Sequence, residues 1–254
     1  MIPFFIFVLG LLFGSFINAL VYRLHTEQPF VRARSHCPHC KHTLGWLDLI
    51  PVLSWLTLKG NCRYCRLRIS IQYPLVELAT GLSFLLVYLA GPTTSWLYNL
   101  QLATWLIFTV FLIIIFIYDL KYYLILDQIV LPAAVIAFIL NIFLGISWWV
   151  MLLSGLMAGG FFLVQYLVSG GTWIGGGDIR LGFLMGLMLS WPATLAALFL
   201  AYVGGSIVGL ALIAFSRKSW GSQVPFGTFL TAATFITMLY GRQLIDWYLG
   251  YFYV

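Results

Sequence analysis

The chain predicts an all-α polytopic membrane protein: about eight transmembrane helices, with a cytoplasmic zinc-ribbon-like loop after the first. Three observations predict it. The 254 residues are 62% hydrophobic and only 8% charged, with a mean hydropathy of +1.01, which excludes an ordinary soluble domain. Apolar segments near the length needed to cross a bilayer recur from end to end. All four cysteines, and eight of the 13 basic residues, fall in one polar stretch near the N-terminus.

The first span runs from Ile2 to about Tyr22, the second from Pro74 to about Ala90 and the third from Trp96 to Tyr118, each closed by charge or by Gly and Pro. A fourth, Gln128 to about Gly145, and a fifth, Trp148 to about Val168, are divided only by Gly145-Ile146-Ser147, as in a tight helical hairpin. A short sixth span covers Ile179 to Ser190, a seventh Ala193 to Phe215 and an eighth Phe226 to Gly250, with Trp191-Pro192 and the polar stretch Ser216 to Gln223 as breaks. The small-xxx-small pairs Gly10/Gly14, Gly155/Gly159, Gly182/Gly186 and Gly205/Gly209 read as helix-packing positions. Trp148, Trp149, Trp191 and Tyr240 read as interfacial anchors.

Lys and Arg beside spans are retained on the cytoplasmic side. Arg23, Arg32, Arg34, Lys41, Lys59, Arg63, Arg66 and Arg68 all lie between the first and second spans, so that loop is cytoplasmic and the N-terminus outside. Threading the remaining spans puts Lys121, Arg180, Arg217 and Lys218 inside as well, and leaves Arg242 as the exception. The expected location is a plasma membrane crossed many times. The first span follows no basic n-region and its charge comes after the apolar run, so it reads as retained rather than as a cleaved signal. The net charge of +6 is explained by topology and contact with membrane lipids; no stacking platform or recognition motif points to nucleic acid.

Cys37-Pro38-His39-Cys40 and Cys62-Arg63-Tyr64-Cys65, with residues 41–61 between them, have near zinc-ribbon spacing, each knuckle offering two thiolates to a tetrahedral ion. A reducing cytosol favours metal over two disulfides. Cys37, Cys40, Cys62 and Cys65 are therefore the expected ligands of a structural Zn2+, with His36, His39 and His42 beside them. A polar loop this short has little core, so the metal supplies much of its folding energy. The chain divides into a first transmembrane helix (1–22), a zinc-binding loop (23–73) and a membrane core (74–254).

Ionisable side chains at membrane depth are expensive. The chain holds only seven Asp and Glu, yet Asp119 in Ile117-Tyr118-Asp119-Leu120 and Asp178 in Gly175-Gly176-Gly177-Asp178 both stand at ends of apolar segments, and the topology brings those ends to the same cytoplasmic boundary. Asp127 reads as a helix cap. Glu77, following Pro74 in the first turn of its span, suits the helix dipole and also a polar role inside the bundle. The three glycines before Asp178 allow positive φ and close approach of another chain. If Asp119 and Asp178 face each other, repulsion leaves a single proton shared between them. The ionised carboxylate can then take a proton from an attacking water while its partner donates to the developing oxyanion.

Gly175-Gly176-Gly177-Asp178 with Tyr118-Asp119 resembles the two halves of the GxGD membrane aspartic proteases. Within that group the whole chain resembles the prepilin peptidases, or type IV leader peptidases. Phe13-Gly14-Ser15-Phe16-Ile17-Asn18 with Val21-Tyr22-Arg23, the paired CxxC motifs, Tyr73-Pro74-Leu75-Val76-Glu77-Leu78, the Asp119 to Asp127 spacing and Val224-Pro225-Phe226-Gly227 carry the likeness. Leu126 stands where a Pro often precedes the second aspartate of that spacing, and Arg180 where a Lys often follows GxGD. The presenilin-like proteases share the two halves, but their Pro-Ala-Leu motif is missing here and the zinc loop is extra.

The resemblance implies a hydrolase: Asp119 and Asp178 as the catalytic aspartyl pair in an aspartic protease core over 74–254. Its substrates would be type IV pilin-like precursors, whose short basic leader it removes in the service of a type IV pilus, secretion or competence. Many relatives also act as an N-methyltransferase on the new N-terminus, with S-adenosylmethionine as donor. Two rival readings are a proton-coupled membrane transporter and a non-catalytic pilus assembly factor. The first is disfavoured by aspartates at a membrane face rather than the midplane and by the lack of an internal repeat.

Overall fold

The computed structural model describes residues 1–28, 35–91, 97–215 and 224–251. Arg32, Arg34, Trp96, the break 216–223 and its Arg217 and Lys218 lie outside the described residues. The chain forms two compact units, Met1–Leu89 and Ala90–Val254. Among the described residues there are nine α-helices and no strand beyond two isolated bridges.

The first unit contains α1 (Ile2–His25), a 3-10 turn (Trp46–Leu49), the short α2 (Leu53–Thr57) and α3 (Gln72–Ala90). The long helices meet at their small residues. A methyl group on Gly10 would fall 2.7 Å from Gly81 Cα, and one on Gly14 2.6 Å from Glu77 Cα, so the two backbones touch directly. One turn beyond Gly14, the Asn18 side-chain amide donates to the Tyr73 carbonyl at 3.0 Å. The stretch between these helices is built from side-chain clamps. Arg63 Nε and the Tyr64 hydroxyl donate to Asp48 at 2.7 and 3.3 Å, Gly45 N–H donates to it at 3.1 Å, and Trp55 Nε1 donates to the Ile69 carbonyl at 3.2 Å.

The second unit contains α4 (Tyr98–Tyr122), α5 (Asp127–Phe143), α6 (Trp148–Ser169), α7 (Gly176–Leu189), α8 (Ala193–Ala214) and α9 (Phe226–Gly250). Each of the eight expected spans is a helix, with shifted ends. The third continues past Tyr118 to Tyr122 and is closed by Tyr123 at φ 56, whose N–H returns to the Asp119 carbonyl at 2.8 Å. Asp119 is therefore inside the last turn rather than beyond the helix. The sixth begins at Gly176 rather than Ile179, because the Asp178 carboxylate reaches back to accept the Gly175 N–H and so satisfies a free donor at the helix start. The Gly145 hairpin is present, with φ +81.

Five of these helices, α1, α3, α4, α6 and α8, are both long and apolar enough to cross a membrane. Helices α5 and α7 are shorter, with 17 and 14 residues. Helix α9 has the length but carries a buried threonine stripe, Thr228, Thr231, Thr234 and Thr237, and polar residues toward its end.

Two glycine pairs interlock α6 and α7. A methyl on Gly186 would press into the Ser154 carbonyl and fall 2.5 Å from Gly155 Cα, and one on Gly159 would sit 3.3 Å from the Ile179 carbonyl. The Gly205/Gly209 pair does not serve this purpose, since nothing lies within 4 Å of a methyl on Gly209. Asn141 fastens α5 to α7 by donating to the Leu187 and Met188 carbonyls at 2.7 and 3.2 Å.

Candidate active site and metal centre

In the second unit the C-terminal end of α4 and the N-terminal ends of α5, α7 and α9 come together. Asp119 is 4% exposed, and one of its oxygens accepts the Thr228 N–H at 2.8 Å across a sequence separation of 109 residues. Thr228 stands in the first turn of α9, where N–H groups have no helical partner, so a carboxylate there completes the turn and complements the helix dipole. Asp178 is 7% exposed and accepts the Gly175 N–H at 3.1 Å. The two carboxylates are close enough to sense each other electrostatically. Neither forms an ion pair among the described residues.

Both glycines next to the pair are occupied by Ile125. A methyl on Gly177 would fall 2.8 Å from Ile125 Cβ; one on Gly227 would fall 2.9 Å from Ile125 Cδ1 and 2.8 Å from Asp119 Oδ2. The expectation that the glycines before Asp178 take positive φ is not met: none of Gly175, Gly176 and Gly177 does so. What Gly177 provides is close approach, to a side chain of the same protein.

Asp127 is also not the cap expected. Leu126 holds that position, no side-chain cap bond forms, and the Asp127 carboxylate instead pairs with Arg180, tying the start of α5 to the start of α7. The reason is geometric: at the first helical position the side chain is displaced from the free N–H groups and lies beside α7.

Three residues near the pair, Thr228, Ile125 and Tyr202, gave no sign of their roles in the sequence. Tyr202 of α8 lies within electrostatic reach of Asp178, donates its hydroxyl to Gln165 of α6 at 2.8 Å, and meets the Phe226 ring at 5.1 Å. Gln165 was the available signal, as an amide inside an otherwise apolar run.

In the first unit the two CxxC segments fold alike. Cys37 N–H donates to the His42 carbonyl at 2.9 Å, and Cys62 N–H to the Leu67 carbonyl at 2.8 Å. Lys41 and Arg66, each following the second cysteine, have φ 59 and 57. Bridges His36↔Thr43 and Asn61↔Arg68 close the two turns. All four Sγ atoms lie within 4.8 Å of one another, and Cys37 and Cys65 are 3.9 Å apart. A tetrahedral ion with bonds of about 2.3 Å sets thiolates about 3.8 Å apart, so the donor set fits a metal such as zinc.

The Leu67 N–H draws the Cys65 thiol down, but burial and the neighbouring Cys62, Cys40 and Cys37 thiols outweigh it and push it up to about 11. Among the described residues no histidine joins the cluster; His42 instead packs on Tyr64, with ring centroids 3.6 Å apart. Asp48 opposes its own burial with the Arg63 side chain and the Gly45 N–H, which hold its carboxyl below the ordinary value.

Residues 8–90 match the bacterial peptidase A24 N-terminal domain, and residues 106–210 match the type IV leader peptidase family. The four cysteines fall in the first match and both aspartates in the second. A prepilin leader peptidase/N-methyltransferase of Aeromonas salmonicida is 33% identical over 96% of this chain and 93% of its own length. One from Bacillus subtilis is 32% identical over 96% of each. One from Myxococcus xanthus is 36% identical over 82% of this chain and 62% of its own length. No solved structure matches the chain. With both halves matched and relatives aligned along almost their full length, this bacterial-type multi-pass membrane protein belongs to the type IV leader peptidase family.

Proposed function

We propose that the chain is an aspartic endopeptidase of the bacterial inner membrane that removes the basic leader from type IV pilin-like precursors at the cytoplasmic face and N-methylates the new terminus. The observation that carries the reading is the meeting of buried Asp119 and Asp178, from α4 and α7, at one end of the second unit. The relatives' names, prepilin leader peptidase/N-methyltransferase, support both activities.

Asp119 and Asp178 share one proton. The ionised member takes a proton from water as its oxygen bonds to the scissile carbonyl carbon, and the protonated member gives its proton to the carbonyl oxygen. When the C–N bond breaks, the nitrogen leaves with a proton returned by the pair. The Thr228 and Gly175 N–H groups hold the carboxylates in place, so that little reorganisation is needed during the reaction.

All eight long helices act as spans in this reading, the N-terminus is outside, and residues 74–254 form the protease core. Residues 23–73 form the cytoplasmic loop, in which Cys37, Cys40, Cys62 and Cys65 hold Zn2+ as a structural cross-link. S-adenosylmethionine is the methyl donor, although the described residues hold no strand–turn–helix nucleotide cradle.

The test is cleavage of a co-expressed pilin-like precursor, read as a mobility shift, by the parent chain and by Asp119→Asn and Asp178→Asn chains of equal abundance. Loss of trimming in both variants is expected. Parental trimming by either would overturn the two-aspartate mechanism and reopen the transporter and assembly-factor readings.

A further inference from the structure

The stretch between the two cysteine knuckles presents an apolar face that neither the metal centre nor the protease reading uses. Trp46 is 76% exposed, Leu53 60% and Leu56 56%, with Leu47 and Leu49 also exposed beside them. Leu53 and Leu56 are three residues apart on α2 and share one side of it. The opposite side is fixed: Trp55 packs on Gly60 and donates to the Ile69 carbonyl.

The height of this face is set by a buried carboxylate. Val52, the residue that opens α2, has φ 61, an uncommon value for a β-branched residue. Its N–H donates to Glu77 at 2.7 Å, and Glu77 is 6% exposed in α3. Glu77 lies five residues after Gln72, where α3 starts, so the contact is about 8 Å along that membrane helix at 1.5 Å per residue. The start of α2 is therefore held alongside the first turns of α3 rather than out in solvent. Leu75 and Leu78 are also exposed on the first turns of α3.

We propose that residues 46–57 form an interfacial element whose Trp46, Leu49, Leu53 and Leu56 insert into the lipid surface. An amphipathic segment in a bilayer interface is seated about 5–10 Å deep, which matches the height fixed by Glu77. Polar atoms on α2 are compatible with this placement, since the Thr57 hydroxyl donates to the Leu53 carbonyl at 2.9 Å. Lys59, exposed just after α2, is placed to meet anionic headgroups. The metal knuckles would thus be held down on the membrane at both flanks of this segment.

The experiment uses the full chain in phosphatidylcholine and phosphatidylglycerol nanodiscs, with a benzophenone amino acid at Leu53, at Leu56 or, as an aqueous control, at Arg66. Lipid adducts at the first two positions and none at the third are expected. Adducts only to protein, whether a second copy or the same chain, or no adducts at Leu53 and Leu56, would overturn the proposal. A Leu53→Asp/Leu56→Asp chain provides the second readout. Amide exchange over 45–58 should rise by about tenfold or more, with bound metal unchanged; exchange equal to the parent would also overturn it.

Discussion

In the first unit, four thiols meet because two tetrapeptides fold the same way: each has a cysteine N–H bonded five residues ahead, a left-handed residue after its second cysteine and a bridge closing the turn. In the second unit, two carboxylates meet because α4, α7 and α9 converge, and no local pattern repeats. The metal centre is a sum of two nearly independent pieces. The aspartate pair is a property of a whole helical bundle, fixed by contacts such as Asp119 to Thr228. Damage to the first should therefore be severe and local, and damage to the second should reach activity through small displacements.

The largest effect on this contrast comes from the aspartates. Asp119→Asn keeps an oxygen for the Thr228 N–H but removes the titrating group, so cleavage should fall on the order of 10³-fold or more while thermal stability and metal content stay near the parent. A matching fall in stability would mean that the carboxylate is a structural anchor. Next is Cys62→Ser, which removes a thiolate from a centre whose metal supplies on the order of 10 kcal/mol in small zinc modules. Loss of bound metal by elemental analysis and proteolytic opening of residues 35–70 are expected, with a much smaller loss of cleavage than for Asp119→Asn. Equal losses would show that the two units act as one.

Gly227→Ala makes a subtler test. Its methyl would meet Asp119 Oδ2 at 2.8 Å and Ile125 Cδ1 at 2.9 Å. Overpacking of this kind costs about 1–3 kcal/mol. Displacement of Asp119 should also lower kcat at least about tenfold, since catalysis falls steeply with misplacement of about 1 Å. Gly209→Ala, in open space, should change neither.

These differences follow from what a sequence displays. The CxxC knuckles are short-range, so spacing alone pointed to all four cysteines, and the run lengths of apolar residues located all eight long helices. Asp119 and Asp178 stood out because a carboxylate in apolar surroundings is rare in this chain. Helix ends were harder. Asp119 was placed at the end of its helix because nothing in Leu120-Lys121-Tyr122 shows that the helix continues until Tyr123 turns left-handed. Thr228, Ile125 and Tyr202 gave no local signal of their roles, because each is defined by a neighbour on a distant helix. Gly227 carried a motif likeness, but only the folded chain shows its lack of a side chain making room for Asp119 and Ile125.

The smallest expected effect concerns Asp127 and Arg180, which join the starts of α5 and α7 at the margin of the aspartate site. Both side chains are about half exposed, and exposed pairs contribute about 0–1 kcal/mol, so Asp127→Asn and Arg180→Gln should each change the unfolding midpoint little. Their position gives them another role. Arg180 is two residues from Asp178 on α7, and its Nε also donates to the Gly176 carbonyl at 3.3 Å, so the pair steadies the turn that carries the catalytic candidate. A double-mutant cycle separates the two roles. Coupling in kcat that exceeds coupling in stability would place the pair in the positioning of Asp178. Equal and small couplings would leave it a surface contact between α5 and α7, and the bundle's hold on Asp178 would then rest on the Gly175 cap and the α6–α7 glycine seam.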